Sequence, residues 1–276
     1  MSSMPLSGKA LRLARLSRRG DGRYLFVPLD HSVSDGPVAG GAEFPGLVRE
    51  ISEGGADAVI VHKGRARMIQ PGLLTRTALV VHLSASTAHA PDVDAKVLVG
   101  DVEEAVRLGA DAVSVHVNIG SDTEAAQLAD LGAVSSACER WGMPLLAMIY
   151  PRGPRVVDPT RPELVSHVVN IAADLGADLV KTVLAAPVEL MAEVIANSPL
   201  PVVVAGGSGG TGVDAERSLH RFASSALAAG CSGLAVGRRV FASPSPKQAV
   251  RDLAAIVHGR VLATEPAPTS HMAGVL

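Results

Sequence analysis

Hydrophobic positions in this chain fall in short unbroken runs, separated by polar stretches with helical spacing. The runs are YLFVPLD (24–30), ADAVIVH (56–62), ALVVHLS (78–84) and ADAVSVHV (110–117), then PLLAMIY (144–150), ADLVKTV (177–183), PVVVAGG (201–207) and GLAVGRR (233–239). A strand with one wet face alternates apolar and polar residues, whereas a parallel strand covered on both faces reads as a continuous apolar run. The chain therefore predicts eight parallel strands, starting 22 to 34 residues apart. Several of the intervening helical stretches end on Gly just before the next strand, in GGADAV, LGADAV, LGADLV and AGCSGLAV. Gly there is the usual left-handed helix stop. The recurrence of GADAV, GADAV and GADLV marks one strand–helix unit repeated. Eight such units predict a TIM (β/α)8 barrel. The rival, a doubly wound open sheet, would usually carry a Gly-rich GxGxxG turn after its first strand, and the turn here is LDHSVSDGP.

Leu11, Leu13 and Leu16, set among arginines, predict a short amphipathic helix packed on the barrel rather than a transit peptide. Residues 1–263 are expected to form one barrel domain. The Pro/Ala/Thr-rich tail 264–276 is expected to be poorly ordered.

Composition narrows the reading. Hydrophobic residues make up 47% of the chain but aromatics only 3%, so Val, Leu, Ile and Ala must fill the core. A net charge of −2 gives no electrostatic reason to expect nucleic acid as a partner. No apolar run reaches the eighteen or so residues that suggest a membrane span, and a cytoplasmic setting is expected. Cys138 and Cys231 have no CxxC spacing, which suggests neither a disulfide framework nor a zinc knuckle.

Barrel enzymes gather their chemistry at the C-terminal ends of the strands. Those ends read Asp30–His31, His62–Lys63, His82, His116 with Asn118, Tyr150 with Arg152, Lys181, Gly206–Gly207 and Gly237–Arg238. Lys181 interrupts an apolar strand in a chain of only five lysines. A buried, unpaired ammonium is costly, so the residue is either paired with a buried carboxylate or kept as the free amine that forms Schiff bases. Tyr150, on the neighbouring strand, can shuttle a proton, and Asp30 can activate the amine or stabilise a cationic intermediate. Lys63 stands one step further out among arginines, fit to bind an anion or hold a charge network. Small residues after strands seven and eight, Gly206, Gly207 and Gly237, let backbone N–H groups approach a phosphate, and Arg238 adds a bidentate contact. His31, His62, His82 and His116 raise zinc as a second reading, but carboxylate ligands are few, and hydrogen bonding or packing is the expected role of most of them. No metal and no cofactor is expected.

The blocks VPLDHSVSDGPVAG, VSVHVNIGSD, WGMPLLAMIYPRG, RPELVSHVVNIAADLGADLVKT and PVVVAGG…AVGRRVF together resemble the class I, Schiff-base aldolases of the archaeal fructose-bisphosphate aldolase type, from about residue 8 to 260. The resemblance implies an aldolase or transaldolase that joins a phosphorylated keto-sugar, such as dihydroxyacetone phosphate or a deoxyketohexose phosphate, to an aldehyde, aspartate 4-semialdehyde in one branch. The product in that branch is a seven-carbon precursor of an aromatic compound. The family's Schiff-base lysine falls on Lys181, its acid/base tyrosine on Tyr150 and its aspartate on Asp30. Its phosphate contacts fall on Gly206, Gly207, Gly237 and Arg238, and His31, Lys63, His116 and Arg152 complete the expected substrate-binding set. The resemblance also implies a homo-oligomer. The chain departs from the family at Ser32, where DHG is usual, and at TVLAAP and AGGSGGTG after the sixth and seventh strands. A fructose-bisphosphate aldolase, a metal-dependent barrel lyase and a barrel that only binds phosphorylated metabolites are the competing readings.

Overall fold

The computed structural model describes residues 7–207 and 212–259. The tail 264–276 and most of the SGGTG segment lie outside the described residues. Eight parallel strands close into a barrel: β1 (Tyr24–Pro28), β2 (Ala58–Val61), β3 (Ala78–His82), β4 (Ala112–Ile119), β5 (Leu145–Pro151), β6 (Leu179–Thr182), β7 (Val202–Ala205) and β8 (Gly233–Ala235). Each pairs with its neighbours in chain order, and Tyr24 opposite Gly233 closes the ring. These are the strands that the hydrophobic runs predict. A two-stranded antiparallel ribbon, Ser84–Ala85 with Val97–Leu98, rises beyond β3.

Alternate residues of each strand serve two cores. Phe26, Ala58, Ile60, Val80, Leu146, Met148, Leu179 and Val203 fill the barrel interior. Val27, Val59, Val61, Val81, Val113, Ala147, Val180 and Val204 pack outward against the helices. The outward faces are mostly Val and the interior mixes Ala with Leu, Ile, Met and Phe, so aliphatic side chains fill a large core with few aromatics. The N-terminal helix Gly8–Leu16, capped by the Ser7 hydroxyl accepting from Ala10 N–H at 3.1 Å, sends Leu13 and Leu16 into the barrel's N-terminal end.

The GAD repeats tie this end together. Asp57, Asp111 and Asp178 each open a strand and donate their N–H to the carbonyl of Leu25, Leu79 and Leu145 on the preceding strand. Their carboxylates then accept the N–H of the same three leucines, at 2.7, 3.0 and 2.8 Å. Each Asp thus makes a two-point splice between consecutive strands. The glycine ahead of it is placed by backbone need: Gly176 has φ of 82°, a conformation that side chains resist. Cys138 and Cys231 are buried and unpaired. Among the described residues, no helix is long and apolar enough to cross a membrane.

Candidate active site

A cavity of about 920 Å³ opens at the C-terminal ends of the strands. The parity of each strand decides what enters it. On β6, Leu179 and Lys181 point inward while Val180 and Thr182 point outward, so Lys181 reaches the cavity floor, opposite Met148 on β5 and Val203 on β7. Lys181 is 8% exposed, and the partner of its Nζ is the Met148 sulfur at 3.8 Å. No carboxylate among the described residues pairs with it.

Asp30 follows β1 and stands over the floor, with Nδ1 of His31 at 3.3 Å and Nε2 of His82 at 3.8 Å. Burial alone would raise the Asp30 carboxyl, but His82, Lys181, His31 and His62, which favour the carboxylate in their protonated forms, bring it below the ordinary carboxylate value. Asp30 is therefore ionised at neutral pH. His82 is pushed down to about 4, chiefly by burial and against the attraction of Asp30, so it is neutral at pH 7. Its Nδ1 meets the Ser114 hydroxyl at 2.9 Å, a contact across the β3–β4 pair where His82 and Ser114 stand opposite each other. His62 places Nδ1 3.1 Å from the His82 carbonyl; a carbonyl only accepts, so this nitrogen carries the proton. Burial lowers His62 and His31 too.

Tyr150 ends β5 with its ring 5.0 Å from that of His116 on β4. Asn118 fixes the tautomer of His116. The Asn118 amide nitrogen donates to the Asp94 carbonyl at 2.8 Å, which turns its oxygen toward Nε2 of His116 at 2.9 Å. His116 is held well below its ordinary value, first by burial and then by Lys96 and His82. Four histidines thus line one chamber as neutral groups at pH 7. Among the described residues, no three His, Cys, Asp or Glu side chains are grouped to hold a metal ion.

On the far side, Gly206, Gly207, Gly237 and Arg238 line the cavity after β7 and β8. A Cβ at Gly237 would come within 2.5 Å of the Pro28 carbonyl and 2.7 Å of the His31 ring, so only glycine lets the chain pass this close. The N–H groups of Gly207 and Gly237 are not taken up by another backbone carbonyl among the described residues. The Ser32 hydroxyl accepts the N–H of Val38 at 3.1 Å and ties down the loop after β1.

Lysine 181, Tyr150, Asp30, His31, His116, Arg152 and the glycine–arginine wall all line one cavity. Lys63 does not. Ala58 and Ile60 face inward on β2, and His62 follows them into the cavity, so the next residue turns away; Lys63 pairs with Glu104 at 2.9 Å, a carboxylate it shares with Arg67. Of its two expected roles, the charge network is the one seen. Asp94 and Lys96, which no strand-end position singles out, also line the cavity. They lie in the long connection after β3, and the only signal was a cluster of charges in DVDAK between two apolar runs.

With this geometry in hand, comparison with known proteins is specific. Residues 24–243 match the DeoC/LacD family aldolase model. The chain is 50% identical over 250 residues to a Streptomyces griseus 2-amino-4,5-dihydroxy-6-oxo-7-(phosphonooxy)heptanoate synthase, spanning 91% of this chain and 90% of that one. It is 43% identical over 254 residues to an Archaeoglobus fulgidus 2-amino-3,7-dideoxy-D-threo-hept-6-ulosonate synthase, spanning 92% of each. A solved archaeal fructose-1,6-bisphosphate aldolase, whose catalytic Lys is covalently bound to the carbinolamine intermediate of its substrate, superposes with a TM-score of 0.82 at 27% identity. The match covers 91% of this chain and all of that one.

Proposed function

Because this chain belongs to the DeoC/LacD family of class I aldolases, which work through a lysine Schiff base, we propose that Lys181 is its Schiff-base residue and that the enzyme condenses dihydroxyacetone phosphate with aspartate 4-semialdehyde. The observation that carries the assignment is the environment of Lys181: a nearly buried amine on the cavity floor, with a thioether as its polar neighbour and no carboxylate partner. A structural lysine in that position would need a counterion.

The choice of substrates rests on bond analysis of the product named for the Streptomyces griseus relative. That molecule has a ketone at C6 and a hydroxyl at C4, the β-hydroxyketone relation that an aldol addition creates. Breaking C4–C5 returns dihydroxyacetone phosphate from C5 to C7, and an amino-acid aldehyde from C1 to C4. The archaeal relative's product breaks at the same bond but ends in a C7 methyl group. The phosphate-retaining reading is favoured here by the greater identity to the first relative and by the glycine–arginine wall beside Lys181.

The steps balance without a further reagent. The Lys181 amine adds to the donor ketone to give a carbinolamine, and loss of water gives the iminium. Tyr150 relays the protons of these steps, while ionised Asp30 stabilises the cation. A proton leaves the carbon that becomes C5, and the resulting enamine attacks the aldehyde carbon that becomes C4. The new alkoxide is protonated, and one water hydrolyses the product iminium to free Lys181. Gly207, Gly237 and Arg238 hold the phosphate throughout, which spends remote binding energy on positioning.

Borohydride reduction in the presence of dihydroxyacetone phosphate should leave a covalent adduct, visible by mass spectrometry and mapped to Lys181. A normal adduct yield in Lys181→Ala would sink the assignment. Mass spectrometry of the reaction with aspartate 4-semialdehyde, run beside a reaction with glyceraldehyde 3-phosphate, decides between this activity and that of a fructose-bisphosphate aldolase.

A further inference from the structure

The cavity carries a second cationic wall that the Schiff-base chemistry does not use. It is built on the connection between β3 and β4, whose ribbon stands at the cavity mouth. The connection is pinned at Asp94, whose carbonyl accepts from the amides of Asn118 at 2.8 Å and Gln127 at 3.0 Å. It is pinned again where Ala88 N–H donates to the Ser34 carbonyl at 2.9 Å. On this fixed frame the Asp94 carboxylate forms an ion pair with Arg152, 2.6 Å from its Nε. The two η nitrogens of Arg152 have no partner among the described residues, and Arg152 lines the cavity.

Beside it, Lys96 donates to the Val93 carbonyl at 3.1 Å and to the Ser86 hydroxyl. Both partners are neutral, and no carboxylate among the described residues forms an ion pair with Lys96. Its ammonium is disfavoured first by burial and then by Arg152, with Asp94, Asp92 and Asp35 opposing. A partly buried ammonium held in place by neutral acceptors, next to an arginine whose η nitrogens point no hydrogen bond elsewhere among the described residues, is suited to receive an anion.

The two walls face each other around the barrel. Glycines and Arg238 follow β7 and β8, Lys96 and Arg152 sit by β3 to β5, and Lys181 on β6 stands between them. We propose that Lys96 and Arg152 bind the carboxylate of the acceptor aldehyde, with Asp94 as the residue that positions Arg152. This deepens the proposed function and rests on that reading for the donor's place. An acceptor with a carboxylate at one end and an aldehyde at the other would then lie with its carbonyl turned toward the Lys181 enamine. The donor phosphate would be held by the opposite wall. Two anionic groups at separate poles fix the direction in which the substrates lie, and an aldehyde without a carboxylate would lose that orientation.

The test compares aspartate 4-semialdehyde with propanal as acceptors for dihydroxyacetone phosphate. In Lys96→Gln the ratio of kcat/KM for the charged over the uncharged aldehyde should fall on the order of 10- to 100-fold, the scale of one lost charge-assisted hydrogen bond. Lys96→Arg should recover most of the ratio. An equal loss for both aldehydes in Lys96→Gln overturns the proposal, because a merely structural lysine would not discriminate between them. A second arm reads the site without turnover: calorimetric titration with L-homoserine, which has an alcohol in place of the aldehyde. Binding should weaken by the same order in Lys96→Gln, and equal binding by the wild type and the variant overturns the proposal. Lys96-dependent homoserine binding in an enzyme that gives no borohydride adduct would sustain the carboxylate site while removing the Schiff-base reading.

Discussion

At the N-terminal end of the barrel, Asp57 is fully buried between the N–H of Leu25 at 2.7 Å and Nε2 of His258 at 3.0 Å, while Nδ1 of His258 meets Asp21 at 2.7 Å. At the C-terminal end, Asp30 faces His82 across 3.8 Å, and the other nitrogen of His82 meets only a serine hydroxyl. Burial disfavours the imidazolium at both places. For His258 two carboxylate hydrogen bonds outweigh it and raise the group above its ordinary value; for His82 burial wins and the group falls to about 4. The same contrast runs through the other cations. Asp111 and Asp178 receive Arg15 at 2.9 Å and Lys9 at 3.1 Å from the N-terminal helix, whereas Lys181 receives no carboxylate among the described residues. One end matches each buried charge and is spliced for stability. The other leaves an amine and a carboxylate near each other but unpaired, which is what reactive groups require.

If that contrast is right, the largest effect comes from Lys181→Met. Steady-state turnover should fall by at least about a thousandfold, since a covalent catalyst has no substitute in the site. The Tm should hold or rise, because the change removes a buried polar group that has no counterion. A fall in Tm would mean that Lys181 is part of the framework after all. Asp57→Ala is the mirror experiment. It strips the Leu25 N–H of its acceptor and leaves His258 with Asp21 alone, so unfolding free energy should drop by about 3–5 kcal/mol, with KM and kcat of the folded fraction preserved. Chemical denaturation and kinetics on one preparation read both numbers.

Much of this division is legible in the chain, for reasons that differ by residue. The strands are visible because both of their faces are covered, which removes polar positions from the run. Lys181 is visible because it is a charge in the middle of such a run, where the other runs carry uncharged residues, and Asp30 and Tyr150 because they end theirs. The GAD repeat is visible as a repeat, but its role is not: only the register shows each Asp reaching back to the leucine of the previous strand. Lys63 looked like a site residue because it follows a strand end. Parity, carried one residue further than His62, turns it outward. Lys96 and Asp94 give no such signal. Their place is set by where one long connection is pinned to Asn118 and Gln127, and no periodicity records that.

The two ends should also titrate with opposite sign. His258 binds its proton more tightly folded than unfolded, so its contribution is complete below about pH 6.5 and is lost as pH rises through the folded value. His82 resists protonation when folded. Between about pH 6.5 and 4 the unfolded chain takes up a proton that the native state refuses, so stability falls as pH falls. His31, His62 and His116 act in the same direction as His82. A series of Tm values from pH 4 to 9 should therefore lose its alkaline decline in His258→Gln and have a shallower acidic decline in His82→Gln. Finding both variants altered on the same side would dissolve the contrast.

Lys63→Met is the smallest expected effect and the sharpest check on where the site ends. Lys63 lies at the same strand-end level as His62, and sequence position alone would group it with the anion-binding residues. Its side chain is 41% exposed and is spent on Glu104, which Arg67 also holds, so one cation remains on that carboxylate when Lys63 is removed. An exposed pair of this kind is screened by solvent and salt and contributes little to folding. Neither KM for dihydroxyacetone phosphate nor the Tm should change beyond the scatter of the measurement, in low or moderate salt. The informative comparison is Arg238→Met, measured alongside, which should raise that KM several-fold because Arg238 lines the cavity and Lys63 does not. A rise in donor KM for Lys63→Met equal to that of Arg238→Met would move the phosphate site to β2 and redraw the cavity's polarity from that side.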